Sequence, residues 1–237
     1  MTYFNLVVVG LGVIGAETLG ALLKYKSLKN KKKIKIAIIE KDIKNIPGGV
    51  AYSQSKSKFG FFNNPLRLSH PEFIYWIKKS KNINKLIKFI IENRDFNLNN
   101  WLKENKKKFK SSKKISEVYF PRLVYSFYLE EKIKKFLKDR NKIKVECEFF
   151  EGEVDNITLK KNIIKPKYKF IKFFLNFDGD KILKKYTKFS ANYIKFKNLI
   201  FSNGILPPDK IDVKNINYND NYIWDFYAEG GTENLLK

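Results

Sequence analysis

The chain has 237 residues, 43% hydrophobic and 30% charged, enough apolar mass for one sizeable core or two small ones, which excludes a disulfide miniprotein and a disordered tail. Its 48 basic residues against 24 acidic ones give a formal charge of +24, a balance that by itself points to nucleic acid or an anionic membrane surface. A single cysteine, Cys147, forbids an internal disulfide, and a single histidine, His70, excludes any histidine cluster for a metal.

In chain order, Phe4-Asn5-Leu6-Val7-Val8-Val9 reads as a strand buried on both faces of a parallel sheet. It breaks into Gly10-Leu11-Gly12-Val13-Ile14-Gly15, and a helix is expected from about Val13 to Lys26, with a polar turn to Lys33. A second strand, Ile34 to Ile39, ends at Glu40 and completes a βαβ unit. After Pro47-Gly48-Gly49-Val50-Ala51-Tyr52 the chain reads as loop to Pro71.

Helices are expected over Pro71–Lys79, Ile83–Asn93 and Asn97–Phe109, then from Pro121, at the first helical position, to about Asp139. Strand-like segments follow at Ile143–Phe150, Glu153–Leu159, Tyr168–Phe177 and Asn192–Ser202, the middle ones as an antiparallel meander inserted before the sheet resumes at Leu199-Ile200-Phe201. The whole is an α/β, Rossmann-like dinucleotide-binding fold with a parallel sheet. Residues 1–211 form one domain, with a helical insert over about 71–120 and a β-meander over about 153–190. Residues 212–237 are a tail of low information, around an isolated Tyr222-Ile223-Trp224.

The kind of base reframes the charge. Only Arg67, Arg94, Arg122 and Arg140 are arginines, against 44 lysines, in a chain also crowded with Ile, Asn and Phe. A nucleic-acid surface favours the bidentate arginine fork, whereas this surplus is what AT-rich codons supply. The charge therefore reads as compositional drift on solvated surface, and nucleic acid is not the expected partner. The longest apolar stretch, Leu6 to Ala16, is too short for a membrane-spanning helix. A cytoplasmic protein without a membrane partner is expected.

The glycines carry the chemistry. In G-x-G-x-x-G at Gly10, Gly12 and Gly15, the first permits a tight strand-to-helix turn, the second lets backbone approach a pyrophosphate, and the third lets helix and strand pack closely. The phosphate charge then meets the free N–H groups of the first helical turn at Val13 and Ile14. Glu40 stands 25 residues after Gly15, where an acceptor for ribose hydroxyls is needed, with Lys41 beside it. Its carboxylate would repel a 2′-phosphate. Other polar residues read as structural: His70 as a local cap, Cys147 as core packing. Arg122 opens a helix, where its charge opposes the dipole and favours a nearby anion.

Downstream segments extend the pattern: Gly48-Gly49-Val50-Ala51-Tyr52, Phe62-Asn63-Asn64-Pro65-Leu66-Arg67-Leu68, Tyr119-Phe120-Pro121-Arg122-Leu123-Val124-Tyr125-Ser126-Phe127-Tyr128-Leu129, and Asn198-Leu199-Ile200-Phe201-Ser202-Asn203-Gly204-Ile205-Leu206-Pro207-Pro208. Over most of its length the chain resembles the N-terminal FAD/NAD(P)-binding domain of urate-hydroxylase and aspartate-N-monooxygenase type flavoproteins. Against that family's pattern Asn64 replaces a valine, Ser126 a glycine, and Ser202-Asn203 an Ala-Thr pair before Gly204. The resemblance implies that Gly10, Gly12, Gly15 and Glu40 hold the ADP half of FAD. It places Gly49, Val50, Ala51, Tyr52 and Asn63 along the pyrophosphate and flavin side, Arg122 as a phosphate or ring partner, Val154 as backbone to adenine, and Asn203 and Gly204 beside the flavin.

Members of that family carry a second nucleotide-binding unit for NADPH, and no further G-x-G-x-x-G follows Gly204. The chain is thus expected to be a short or truncated relative, a half of a split protein, or a remnant. NAD(P)H would then act through a missing half or a partner polypeptide. The function expected is an FAD-binding oxidoreductase module, monooxygenase-like, acting on a small-molecule substrate. The alternative is a non-catalytic dinucleotide-binding or basic nucleic-acid-interacting protein. No catalytic residue stands out.

Overall fold

The computed structural model describes residues 3–24, 33–52, 60–178 and 181–202. These divide into two compact units, one running to Gly49 and resuming at Leu129, the other comprising Val50–Tyr128.

The first unit is a mixed α/β body. Strand β1 (Tyr3–Val9) leads into helix α1 (Val13–Lys24) and β2 (Ile34–Glu40), and β3 (Val145–Glu151), β4 (Val154–Thr158), β5 (Ile163–Pro166), β6 (Phe170–Asp178), β7 (Lys181–Ala191) and β8 (Ile194–Phe201) follow late in the chain. They form one eight-stranded sheet in the order β4-β5-β8-β1-β2-β3-β6-β7. Its centre, β8-β1-β2-β3, is parallel, with Val7 opposite Ala37 and Leu199, and Ile36 opposite Cys147. The run of β-branched side chains in β1 and β2 explains this position: Val7, Val8, Ala37 and Ile38 have no exposed surface, as strands covered on both faces require.

The β-rich segment does not form a single inserted meander, as the sequence suggests. It splits into two antiparallel hairpins on opposite flanks of the parallel centre, β4–β5 pairing onto β8 and β6–β7 onto β3. Strands β5 and β7 carry no clear sequence signal. β5 is four residues long and ends at Pro166; β7 is interrupted by lysines, which an edge strand tolerates. The hairpins still contribute to the core. Phe170 and Ile164 are buried with Phe4, Val7, Val9, Ala37, Ile39 and Phe150 and with Ile194 and Phe196 of β8, Val154 and Leu199 packing against them. Each such phenylalanine or isoleucine contributes about 1.5–3 kcal/mol.

The second unit is helical. It holds α2 (Gly49–Tyr52, where the sequence reads as loop), α3 (Pro71–Ile77), α4 (Ser80–Asn93), α5 (Phe96–Asn105), α6 (Ser112–Ile115) and the start of α7 (Leu123–Asp139), which continues into the first unit. Helix signals are local and strong here. Pro71 sits in the first turn of α3, the Asp95 carboxylate accepts from the Leu98 N–H at 2.9 Å at the start of α5, and Arg94 closes α4 in the left-handed conformation. Residues 60–67 run alongside 116–122, with N–H groups of Phe62, Leu66 and Arg122 bonded to the carbonyls of Phe120, Val118 and Gly60. Two expectations fail here. Pro121 precedes α7 instead of opening it, because it bridges to Phe61, and His70, at the cap of α3, makes no capping bond with its side chain. The expected end of α1 at Lys26 and the tail lie outside the described residues.

Candidate functional site

The turn between β1 and α1 sits at the carboxyl end of the parallel strands, and its three glycines are required for different reasons. Gly10 has φ +94°, a conformation that only glycine adopts without cost. Gly15 is constrained by packing: a Cβ there would stand 2.2 Å from the Gly10 carbonyl oxygen and 3.3 Å from Ser202 Oγ. Gly12 is constrained by neither. Its φ lies outside the left-handed region, and a Cβ would meet its nearest neighbours, Gly49 Cα and N and the Gly48 carbonyl, at 3.7–3.9 Å, ordinary contact distances. The fold itself would accept a side chain at position 12.

Opposite that position, Gly48 and Gly49 bring a second stretch of bare backbone, with φ +105° and +66°. Gly12 and Gly48 form an isolated parallel bridge. A Cβ on Gly49 would lie 3.3 Å from Gly12 Cα. Helix α1 begins immediately beyond, and its first intrahelical bond is from the Ala16 N–H to the Gly12 carbonyl at 3.0 Å. The amides of Val13, Ile14 and Gly15 therefore have no acceptor within the helix. Ile14 is exposed and Val13 half-buried.

Glu40 fixes this turn from β2. Its Oε2 accepts from the Leu11 N–H at 2.6 Å and its Oε1 from the Asp42 N–H at 3.2 Å. Burial raises its pKa above the ordinary carboxylate value and the Asp42 carboxylate adds to the rise, while the N–H groups of Leu11, Asp42 and Lys41 oppose it. With three N–H groups on about four lone-pair sites, the carboxylate keeps one for a hydroxyl donor. From the far side, the Ser202 hydroxyl bonds the carbonyls of Val9 at 2.8 Å and Gly10 at 2.7 Å, and the Gly10 N–H donates to the Ile39 carbonyl at 2.7 Å. Leu11 and Ser202 are the site residues to which sequence reasoning gives no role. Ser202 stood out in the sequence only as the replacement for an alanine before Gly204 in the pattern of the family the chain resembles.

The other expected site residues are distributed as follows. Lys41 pairs with Glu153 at 2.7 Å, and the Gly152 N–H donates to the Glu40 carbonyl, which brings the start of β4, and so Val154, near the end of β2. In the helical unit, Tyr52 packs against Phe62 and Tyr125 with ring centroids at 6.1 and 5.3 Å. Arg122 is committed to its own unit: Nε donates to the Phe61 carbonyl at 2.9 Å and Nη2 to Asn63 Oδ1 at 3.1 Å. These acceptors explain an arginine before a helix without an anion. Ala51 is half-buried in α2; the Val50 side chain, Asn203 and Gly204 lie outside the described residues.

The FAD-NAD(P)-binding family model matches residues 7–164, a span that begins in β1, contains the glycine turn and Glu40, and ends in β5. The chain belongs to the FAD-NAD(P)-binding family. A search of curated proteins finds no match. For an FAD-NAD(P)-binding protein the arrangement is chemically apt: bare backbone, unpaired helix amides and a carboxylate converge at one sheet end, where pyrophosphate oxygens and sugar hydroxyls need such partners. Among the described residues, no group of three His, Cys, Asp or Glu side chains could hold a metal ion, and no helix is long and apolar enough to cross a membrane.

Proposed function

We propose that this chain is the FAD-binding module of an NAD(P)H-dependent, monooxygenase-like oxidoreductase, built on a Rossmann-like arrangement and related to the urate-hydroxylase and aspartate-N-monooxygenase flavoproteins. One observation carries the reading: glycine at position 12 is demanded neither by its own backbone conformation nor by its neighbours. Space kept free of a Cβ between two glycine turns, in front of a helix N-terminus, suits the close approach of a pyrophosphate.

In this reading the amides of Val13, Ile14 and Gly15 bind the pyrophosphate, and the remaining lone pair of Glu40 orients the adenosine ribose. A carboxylate there disfavours a 2′-phosphate, which supports FAD or NAD over NADP at this position. Lys41, held by Glu153, adds positive charge beside the ribose, and backbone near Val154 faces adenine. The flavin, when bound, supplies the redox chemistry; the protein's part is to position and enclose it. The hydride donor, NAD(P)H, acts through a partner polypeptide or a second half, and the substrate is a small molecule.

The test is the visible spectrum of the purified protein. Flavin absorbance in the wild type and its loss in a folded Gly12→Asp variant are the expected outcomes. A colourless wild-type protein that takes up no added FAD would refute the proposal.

A second reading has one observation in its favour. On the β6–β7 hairpin, Phe174 is about half exposed and stands opposite Lys185, a ring beside a cation that suits a polyanion with stackable bases. Steeply salt-dependent binding of single-stranded RNA or DNA, lost in Phe174→Ala, would favour it.

A further inference from the structure

At the amino end of the parallel strands, opposite the glycine turn, the sheet opens. Strand β3 pairs with β2 along its whole length, from Ile34 opposite Val145 to Glu40 opposite Glu151. With β6 it pairs only at Phe149, Phe150 and Glu151. Between the start of β3 and the end of β6 lies a half-open cavity of about 290 Å³, with Lys33, Arg140 and Asn141 among the residues that line it.

All but one of the charges lining this cavity are matched. Lys33 meets Glu146 at 2.9 Å, and Lys172 meets Glu148 at 2.8 Å, the latter pair largely buried. Burial pushes the Cys147 thiol up to about 12, so it stays protonated and adds no negative charge. Arg140 is the exception: half-buried, it has no acceptor for its guanidinium among the described residues. A guanidinium cannot lose its charge, and its planar fork is made for two oxygens of one group. Asn141 and Asn176 line the same cavity. In a chain whose basic residues are overwhelmingly lysine, the one unmatched cation here is an arginine.

The geometry points to a binding site for a small oxyanion, the carboxylate or phosphate of a small metabolite, held by the fork of Arg140 and the amides of Asn141 and Asn176. The cavity is near the lower end of the size range of small-molecule sites, which suits an organic acid or a phosphate ester and excludes a whole dinucleotide. The site stands at the opposite end of the strands from Gly12 and does not depend on flavin binding there.

Because Cys147 is the chain's only cysteine and lines this cavity, thiol labelling reports on it alone. The experiment measures the rate of Cys147 modification by a neutral disulfide reagent while inorganic phosphate or citrate is titrated, with ionic strength held constant by NaCl. The expected result is saturable protection of several-fold by one of the two anions, and which one protects tells phosphate from carboxylate. Arg140→Gln should abolish the saturation relative to its own unliganded rate. Arg140→Lys, which keeps the charge and loses the fork, should weaken apparent affinity about tenfold. A rate unaffected by either anion, slowing reproduced by NaCl alone, or equal protection in the wild type and both variants would overturn the assignment.

Discussion

The two ends of the parallel strands present opposite kinds of surface. At the carboxyl end the groups that shape the turn are main chain: the bare backbone of Gly10, Gly12, Gly48 and Gly49, with Glu40 and Ser202 spending their hydrogen bonds on peptide groups. At the amino end the cavity is shaped by side chains, Lys33 with Glu146, Lys172 with Glu148, and Arg140 alone. The difference teaches where each kind of substitution acts. A main-chain cradle is sensitive to a single methyl group and indifferent to salt, whereas a charged cleft tolerates volume and responds to charge.

Gly15→Ala should break the carboxyl end most severely, because its Cβ would stand 2.2 Å from a backbone oxygen that cannot rotate away. A loss of about 3 kcal/mol is expected, read as a lower urea midpoint. Next is Lys172→Ala at the amino end, which strands the largely buried Glu148 carboxylate. About 2 kcal/mol should be lost, read as a lower urea midpoint.

Glu40→Gln sharpens the comparison through pH. The raised pKa of Glu40 means that its contribution to stability is present below the unfolded-state pKa and is lost as pH rises through the folded-state value. Urea midpoints of the wild type should therefore fall relative to Glu40→Gln as pH rises through that window. Dinucleotide affinity runs the other way, since ribose hydroxyls donate to the ionised form. It should weaken on acidification from a higher pH than an ordinary carboxylate would dictate, and Glu40→Gln should weaken it about tenfold at neutral pH. The smallest effect belongs to Lys33→Ala, which breaks a solvent-exposed pair with Glu146. Less than about 1 kcal/mol is expected, vanishing at high salt.

Much of the carboxyl end was legible in the sequence because its determinants are local. A run of β-branched residues, a glycine turn and an acidic strand end fall within forty residues, and each specifies its own conformation. The helical unit was similarly readable, the helices expected over Pro71–Lys79, Ile83–Asn93 and Asn97–Phe109 overlapping α3, α4 and α5. What the sequence hid depends on pairing between distant segments. Ser202 reaches Val9 and Gly10 across 193 and 192 residues; β7 is a strand only because β6 lies beside it; and Arg122 finds its acceptors in Phe61 and Asn63, which no spacing rule connects. The cavity at Arg140 was invisible for the same reason, arising where β3 and β6 stop pairing.

The most direct test is a pair of measurements on Gly12→Ala. The backbone at position 12 accepts a Cβ without strain or clash, so the variant's thermal midpoint should equal or slightly exceed that of the wild type, as when a compatible glycine is replaced. FAD uptake, followed by flavin absorbance after desalting, should fall sharply in the same sample. Retained stability with lost flavin is the expected result; a Gly12→Ala protein that binds FAD as well as the wild type would contradict the account.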